Sequence, residues 1–194
     1  MKKSILKNVI ITIIVTLAEI LVGIFLIAWI TPSLIADATW GLEWKNPCVY
    51  FTEKQYEKTE RISDLSLLVE RSFWADKHEL SLKYCPILLN DENFSDLLQS
   101  KDESYSEYIA CGYVNALYES DSKQKAVATA FKYLNIEKYS LAYNPVRLLC
   151  SLAYQDSDYD TLSLILTNLQ SVENKTSEVL NDVERLSNII TNKG

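Results

Sequence analysis

Residues 9–30, VIITIIVTLAEILVGIFLIAWI, form an apolar run without Lys or Arg. At about 1.5 Å per residue, some twenty such residues cross a hydrocarbon core of about 30 Å. The run is therefore expected to be a single transmembrane helix, with the lipid bilayer as its partner. Lys2, Lys3 and Lys7 precede it, and Asp37, Glu43 and Lys45 follow. That bias puts residues 1–8 in the cytoplasm and residues 31–194 outside it, anchored at the cell membrane. The rival is a cleaved signal peptide, with Ala36-Asp37-Ala38 as a small-x-small cleavage site. A signal core runs to about 7–15 residues, whereas this run has 22, so an uncleaved signal anchor is expected. Glu19 sits mid-run, where a carboxylate costs about 2.5–3.5 kcal/mol on insertion scales. It is expected to contact another membrane helix, helped by Gly23 one turn on. The alternative is a tolerated, protonated acid in an otherwise very apolar span.

The rest of the chain is acidic. Of 19 Lys and Arg, three precede the run, and one of the 26 Asp and Glu is Glu19, so 16 cations and 25 anions leave −9. Such a charge is repelled by phosphate backbones, and no nucleic-acid partner is expected. The four cysteines, Cys48, Cys85, Cys111 and Cys150, make no C-x-x-C, and His78 is the one histidine. A zinc site is not expected. An even count outside the cytoplasm permits disulfides. Cys85, Cys111 and Cys150 nevertheless sit in apolar helical patterns, where free thiols pack as small hydrophobes.

The sequence is expected to be all-α. Gly and Pro number four each, too few for the turns of a β-sandwich. Apolar spacing marks helices: Leu65, Leu68, Val69 and Phe73; Leu80, Tyr84, Ile87 and Leu88; Ile109, Tyr113, Val114 and Leu117; Val127, Ala130, Phe131 and Leu134; Leu148, Leu149, Leu152 and Ala153; Leu162, Ile165, Leu166 and Leu169. The short polar links ADK, ESDSK and QDSDYD join antiparallel neighbours into hairpins. Pro145 suits a helix start, while Pro86 falls mid-helix and is expected to kink it. Val179, Val183, Leu186 and Ile190 form a final stripe, read as a terminal helix covering the last hairpin.

The strings LYESDSKQKAVATAFKYL, AYQDSDYDTLSLILTNLQ and RSFWADKHELSLKYCPIL overlie one another, and GLEWKNPCVYFTEKQY is a degenerate fourth copy. The equivalent positions are Pro47, Leu80, Ala126 and Leu162, at spacings of 33, 46 and 36. These strings resemble tetratricopeptide repeats, which are helix–turn–helix units of about 34 residues. In SDYDTL, Asp158 and Tyr159 stand as in that family's turn. The sequence departs from the family at its small residues. Leu68, Val114 and Cys150 occupy that place in the first helices, and only Ala126 keeps it in the second. NDENFSDLLQSKDES fills the longer interval, with a short helix expected around Phe94–Leu98. The resemblance implies a solenoid-like stack with a concave, protein-binding groove. The matching groove positions are Tyr108, Cys111, Asn115 and Tyr118 in one hairpin and Arg147, Ser151 and Tyr154 in the next.

Asp156, Asp158 and Asp160 have the spacing that opens a calcium loop, but the sixth and twelfth places hold Thr161 and Thr167 instead of Gly and Glu. They are expected to start a helix, Asp158 as its cap. No phosphate loop, G-x-S-x-G or H-E-x-x-H occurs. His78 is expected to be a solvated surface residue, and no enzymatic activity, cofactor or metal is expected. Trp40 and Trp44 are expected either at the lipid interface or capping the first hairpin. The expected function is a membrane-anchored adaptor, assembly factor or tether that binds a protein or peptide. The alternatives are a sensor of small molecules or peptides and a homo-oligomer held through the membrane helix.

Overall fold

The computed structural model describes residues 2–102, 104–140 and 142–192. Met1 and the side chains of Lys2, Lys3 and Lys7, on which the charge bias rests, lie outside the described part. Among the described residues the chain is all-α, with eleven helices and no strand. They are α1 (Lys2–Ile30), α2 (Pro32–Gly41), α3 (Lys45–Thr59), α4 (Ile62–Trp74), α5 (His78–Leu89) and α6 (Phe94–Leu98), then α7 (Tyr105–Glu119), α8 (Lys123–Lys132), α9 (Pro145–Gln155), α10 (Tyr159–Ser171) and α11 (Ser177–Thr191).

Among the described residues one helix, over Val9–Ile30, is long and apolar enough to cross a membrane, and none of that span is buried within the molecule. From α2 onward each long helix packs on the next, and α7 also touches α5 and α9 on either side. Eleven of its residues are buried, from Tyr105 to Tyr118, because it is enclosed by neighbours on both flanks. The stacking follows from the sequence: each helix offers one apolar stripe, and two such stripes bury each other across a short link.

Four links share one backbone geometry. The amide of Trp44 donates to the carbonyl of Thr39 (2.9 Å), Lys77 to Ser72 (2.8 Å), Ser122 to Leu117 (2.9 Å) and Asp158 to Ala153 (2.8 Å). The residue before each donor is left-handed: Glu43 (φ 57°), Asp76 (55°), Asp121 (60°) and Ser157 (56°). This is a Schellman end, in which a carbonyl left over at a helix terminus is satisfied by an amide just past it. These donors lie 33, 45 and 36 residues apart.

The shared turn corrects the sequence register. Four residues beyond each donor lie Cys48, Ser81, Ala126 and Leu162, at 0%, 2%, 0% and 0% exposure. Pro47 is exposed and Leu80 half-buried, so the first two copies shift by one residue. The same shift changes α5, whose inward face is Ser81, Tyr84, Cys85, Leu88 and Leu89, while Ile87 stays 47% exposed. In α11 the buried stripe is Val179, Asp182 and Leu186, with Val183 and Ile190 only half-buried. The helix α5 continues through Pro86. All four cysteines are free and buried.

The base of the stack is tied by Arg71. Its guanidinium, buried at 5% exposure, donates to Thr52 Oγ1 (2.9 Å) and Asp37 Oδ1 (2.6 Å) and lies 5.3 Å from the Trp40 ring. Trp40 also packs on Trp74, with centroids 4.5 Å apart. Trp40 thus caps the first helices, whereas Trp44 remains 58% exposed.

Candidate functional site: a cationic groove between α9 and α11

The site begins with an unusually firm helix start. Asn144 Oδ1 accepts from the amides of Val146 (2.9 Å) and Arg147 (3.0 Å), and its Nδ2 donates to the carbonyl of Tyr139 (2.7 Å). Asn144 therefore caps α9 and fixes the preceding loop at once. Pro145 follows at the first helical position, where its missing N–H costs nothing.

That loop carries Tyr139, 1% exposed, into the core. Its hydroxyl donates to Asp182 Oδ2 (3.0 Å) on α11. Burial, then the neighbouring Asp182 charge, pushes the Tyr139 phenol far above its ordinary pKa, so it stays a donor. Asp182 also pairs with Arg147 Nε (3.4 Å) and Arg185 Nη2 (3.3 Å). One buried carboxylate, 8% exposed, thus locks two helices, a loop and two arginines. The guanidiniums are held from behind, and their side chains remain 46% and 56% exposed.

Both arginines open onto a groove of about 660 Å³ that Ser140, Ser151, Tyr154, Leu148 and Ile189 also line. A second groove of about 600 Å³ adjoins it, sharing Tyr154, Arg185 and Ile189. Among the described residues the first has no carboxylate in its lining, while Glu184 lines the second; residues 31–194 as a whole carry a net −9. Its wall offers guanidinium, hydroxyl and phenol donors beside aliphatic surface, which suits an extended segment bearing carboxylate or carbonyl acceptors.

Of the expected groove residues, the structure brings Arg147, Ser151 and Tyr154 together along this groove. The α7 set lies elsewhere. Tyr108 is half-buried against Phe73 (5.4 Å), Tyr105 (6.3 Å) and Tyr143 (5.0 Å). Cys111 is buried and Asn115 half-buried. Tyr118, 4% exposed, donates to Asp158 Oδ2 at 3.4 Å. Glu19 is exposed on α1, and a Cβ at Gly23 would meet nothing within 4 Å.

Asp158 accepts from the amide (3.1 Å) and hydroxyl (2.7 Å) of Thr161 and from Lys123 Nζ (2.8 Å). Both of its oxygens are engaged as a helix cap, while Asp156 and Asp160 are exposed. No three of His, Cys, Asp and Glu converge among the described residues. His78 is half-buried and lines a separate depression of about 670 Å³ with Glu79 and Glu119.

Sequence reasoning missed Asp182, Arg185 and Tyr139. A signal existed for Asp182, which stands three residues after Val179 and four before Leu186, on the inward side of the stripe. No family model, curated protein or solved structure matches the chain.

Proposed function

We propose that the chain is a membrane-anchored adaptor whose α9–α11 groove holds a segment of another polypeptide. In this reading α1 is an uncleaved anchor, with residues 1–8 cytoplasmic and residues 31–194 outside the cytoplasm. The observation that carries it is the pair Arg147 and Arg185, fixed by Asp182 and turned toward a groove without carboxylates. Tyr154, 59% exposed at its rim, is the aromatic anchor.

The repeated Schellman turns and the small buried residues Cys48, Ser81 and Ala126 support a divergent tetratricopeptide-like stack. In the uncut chain Ala36 is buried within α2 and Asp37 is bonded to Arg71.

The test is a photo-crosslinking amino acid at exposed Ser151 in the full chain in its native membrane. The expected result is one dominant polypeptide adduct, lost in Tyr154→Ala and Arg185→Glu. Absence of an adduct, or an adduct indifferent to both substitutions, overturns the reading.

A second reading, self-association through α1, has its own observation. Thr12, Thr16, Glu19 and Gly23 follow i, i+4, i+7 and i+11 spacing and share one helix face. They include every polar side chain of the span. Two copies facing along this stripe would shield both carboxyls from lipid and approach closely at glycine.

A further inference from the structure

The α2 helix has two apolar faces, and only one is covered. Pro32, Ala36 and Thr39 are buried, and α2 packs on α3. Leu34, Ala38 and Gly41 lie two residues further along, roughly 200° around the helix. All three are exposed, with Leu34 at 59%. Leu42, just beyond, is 58% exposed and Trp44 is 58% exposed. A surface helix facing water normally shows several polar residues on that side, and here the one charged residue beside the stripe is Asp37, which is tied to Arg71.

The position of the stripe says what covers it. Only Thr31 separates α2 from the end of α1 at Ile30. Lys58 Nζ on α3 donates to the carbonyl of Ile30, closing the end of α1. The exposed side of α3 carries Tyr50 and Lys54 in line with Lys58. Tyr50 is 54% exposed, with Lys54 Nζ 5.8 Å from its ring. Exposed indole and phenol rings close in the chain to the end of an apolar span match the layer where headgroups meet acyl chains.

We propose that the α2 stripe, with Trp44 and Tyr50, is a lipid-docking surface that lies in the headgroup layer of the bilayer crossed by α1. The proposal rests on the reading of α1 as a membrane span. Lipid is favoured over a protein cover because the stripe continues directly from the lipid-facing helix. The stripe itself meets the upper acyl chains.

The experiment uses full-length protein in phosphatidylcholine vesicles, in two single-tryptophan forms. One keeps Trp44 and the other Trp29, the remaining tryptophans being Phe, and far-UV circular dichroism verifies that both are folded. Lipids brominated near the headgroup or near the chain end quench emission at either depth, and iodide reports access from water. The expected result is blue-shifted Trp44 emission, largely lost with shallow bromines and spared by deep ones, and restored by Leu34→Glu/Leu42→Glu. If bromolipids quench Trp29 but leave Trp44 emitting like a water-exposed indole, the docking surface is overturned and the span stands. Trp44 shielded from iodide and bromolipid alike, with Trp29 quenched, overturns it in favour of a second copy of the chain. If neither tryptophan is quenched by lipid, the span reading falls, and this proposal with it.

Discussion

Lys123 Nζ lies 2.8 Å from Asp158 Oδ2, so the first residue of α8 is tied to the cap of α10. The turn-closing amides of these two hairpins belong to Ser122 and Asp158 itself. The ion pair therefore joins equivalent points of successive units, and with it the stack fixes its own spacing. Burial by itself would raise the Asp158 pKa, but the bonds from Lys123 and Thr161 outweigh it and lower the carboxyl to about 2 from the usual 3.8.

Acid sensitivity follows from that depressed carboxyl. Asp158 titrates lower when folded than when unfolded, so its stabilisation is complete above about 4 and is lost as pH falls through about 2. A difference of this size is worth about 2 kcal/mol. Asp158→Ala is expected to lower stability by about 1–2 kcal/mol at neutral pH and to flatten the acid limb. Asp158→Asn keeps the cap to the Thr161 amide and is expected to lose less. Urea midpoints of the full chain in detergent between pH 2 and pH 7 check both.

The left-handed turn residues offer the opposite effect. A left-handed conformation costs an ordinary L-residue about 1–2 kcal/mol, and Asp and Asn tolerate it better. Glu43→Gly and Ser157→Gly are expected to raise stability by about 0.5–1 kcal/mol each. Asp76→Gly and Asp121→Gly are expected to gain less. Thermal midpoints of the four variants give the order.

Gly112 is held by Phe73. A Cβ there would meet Phe73 Cγ at 3.1 Å, where α7 crosses α4. Gly112→Val is expected to destabilise by about 1–3 kcal/mol through overpacking. Phe73→Leu in the same chain is expected to recover part of that loss, a coupling read from a double-mutant cycle.

The thiols are expected to be inert. Burial pushes Cys85, Cys111 and Cys150 up to about 12 and also raises Cys48. The thiolate is the reactive form, so all four stay protonated at neutral pH. A thiol reagent is expected to label them only on unfolding, and reductant to leave the thermal midpoint unchanged.

The α1 stripe makes a separable prediction. Glu19→Leu and Gly23→Leu are expected to weaken self-association of the full chain in detergent by about 1–2 kcal/mol each. Sedimentation equilibrium measures this, and an unchanged oligomeric state would count against the stripe.

Helix positions were legible because spacing of large apolar side chains is enough to define a face. Their exact register was not, and α5 shows why. Ser81 and Cys85 face inward where helices cross closely, and small residues fit there. Reading for bulk placed Leu80 and Ile87 in those roles. The groove was half legible: Arg147, Ser151 and Tyr154 follow from their place on α9. The opposite wall depends on Asp182 being buried, and a carboxylate is normally counted as surface. Tyr139 comes from a loop whose course no periodicity records. For Tyr108 the sequence could not distinguish an exposed anchor from one aromatic ring among several.

The single residue between α1 and α2 has a mechanical consequence. With Lys58 bonded to Ile30 and Thr31 as the whole linker, α2 and α3 both hold the end of α1. A load taken up far away at α11 would reach the apolar rod as a change of tilt, so the stack and its stem should behave as a single lever.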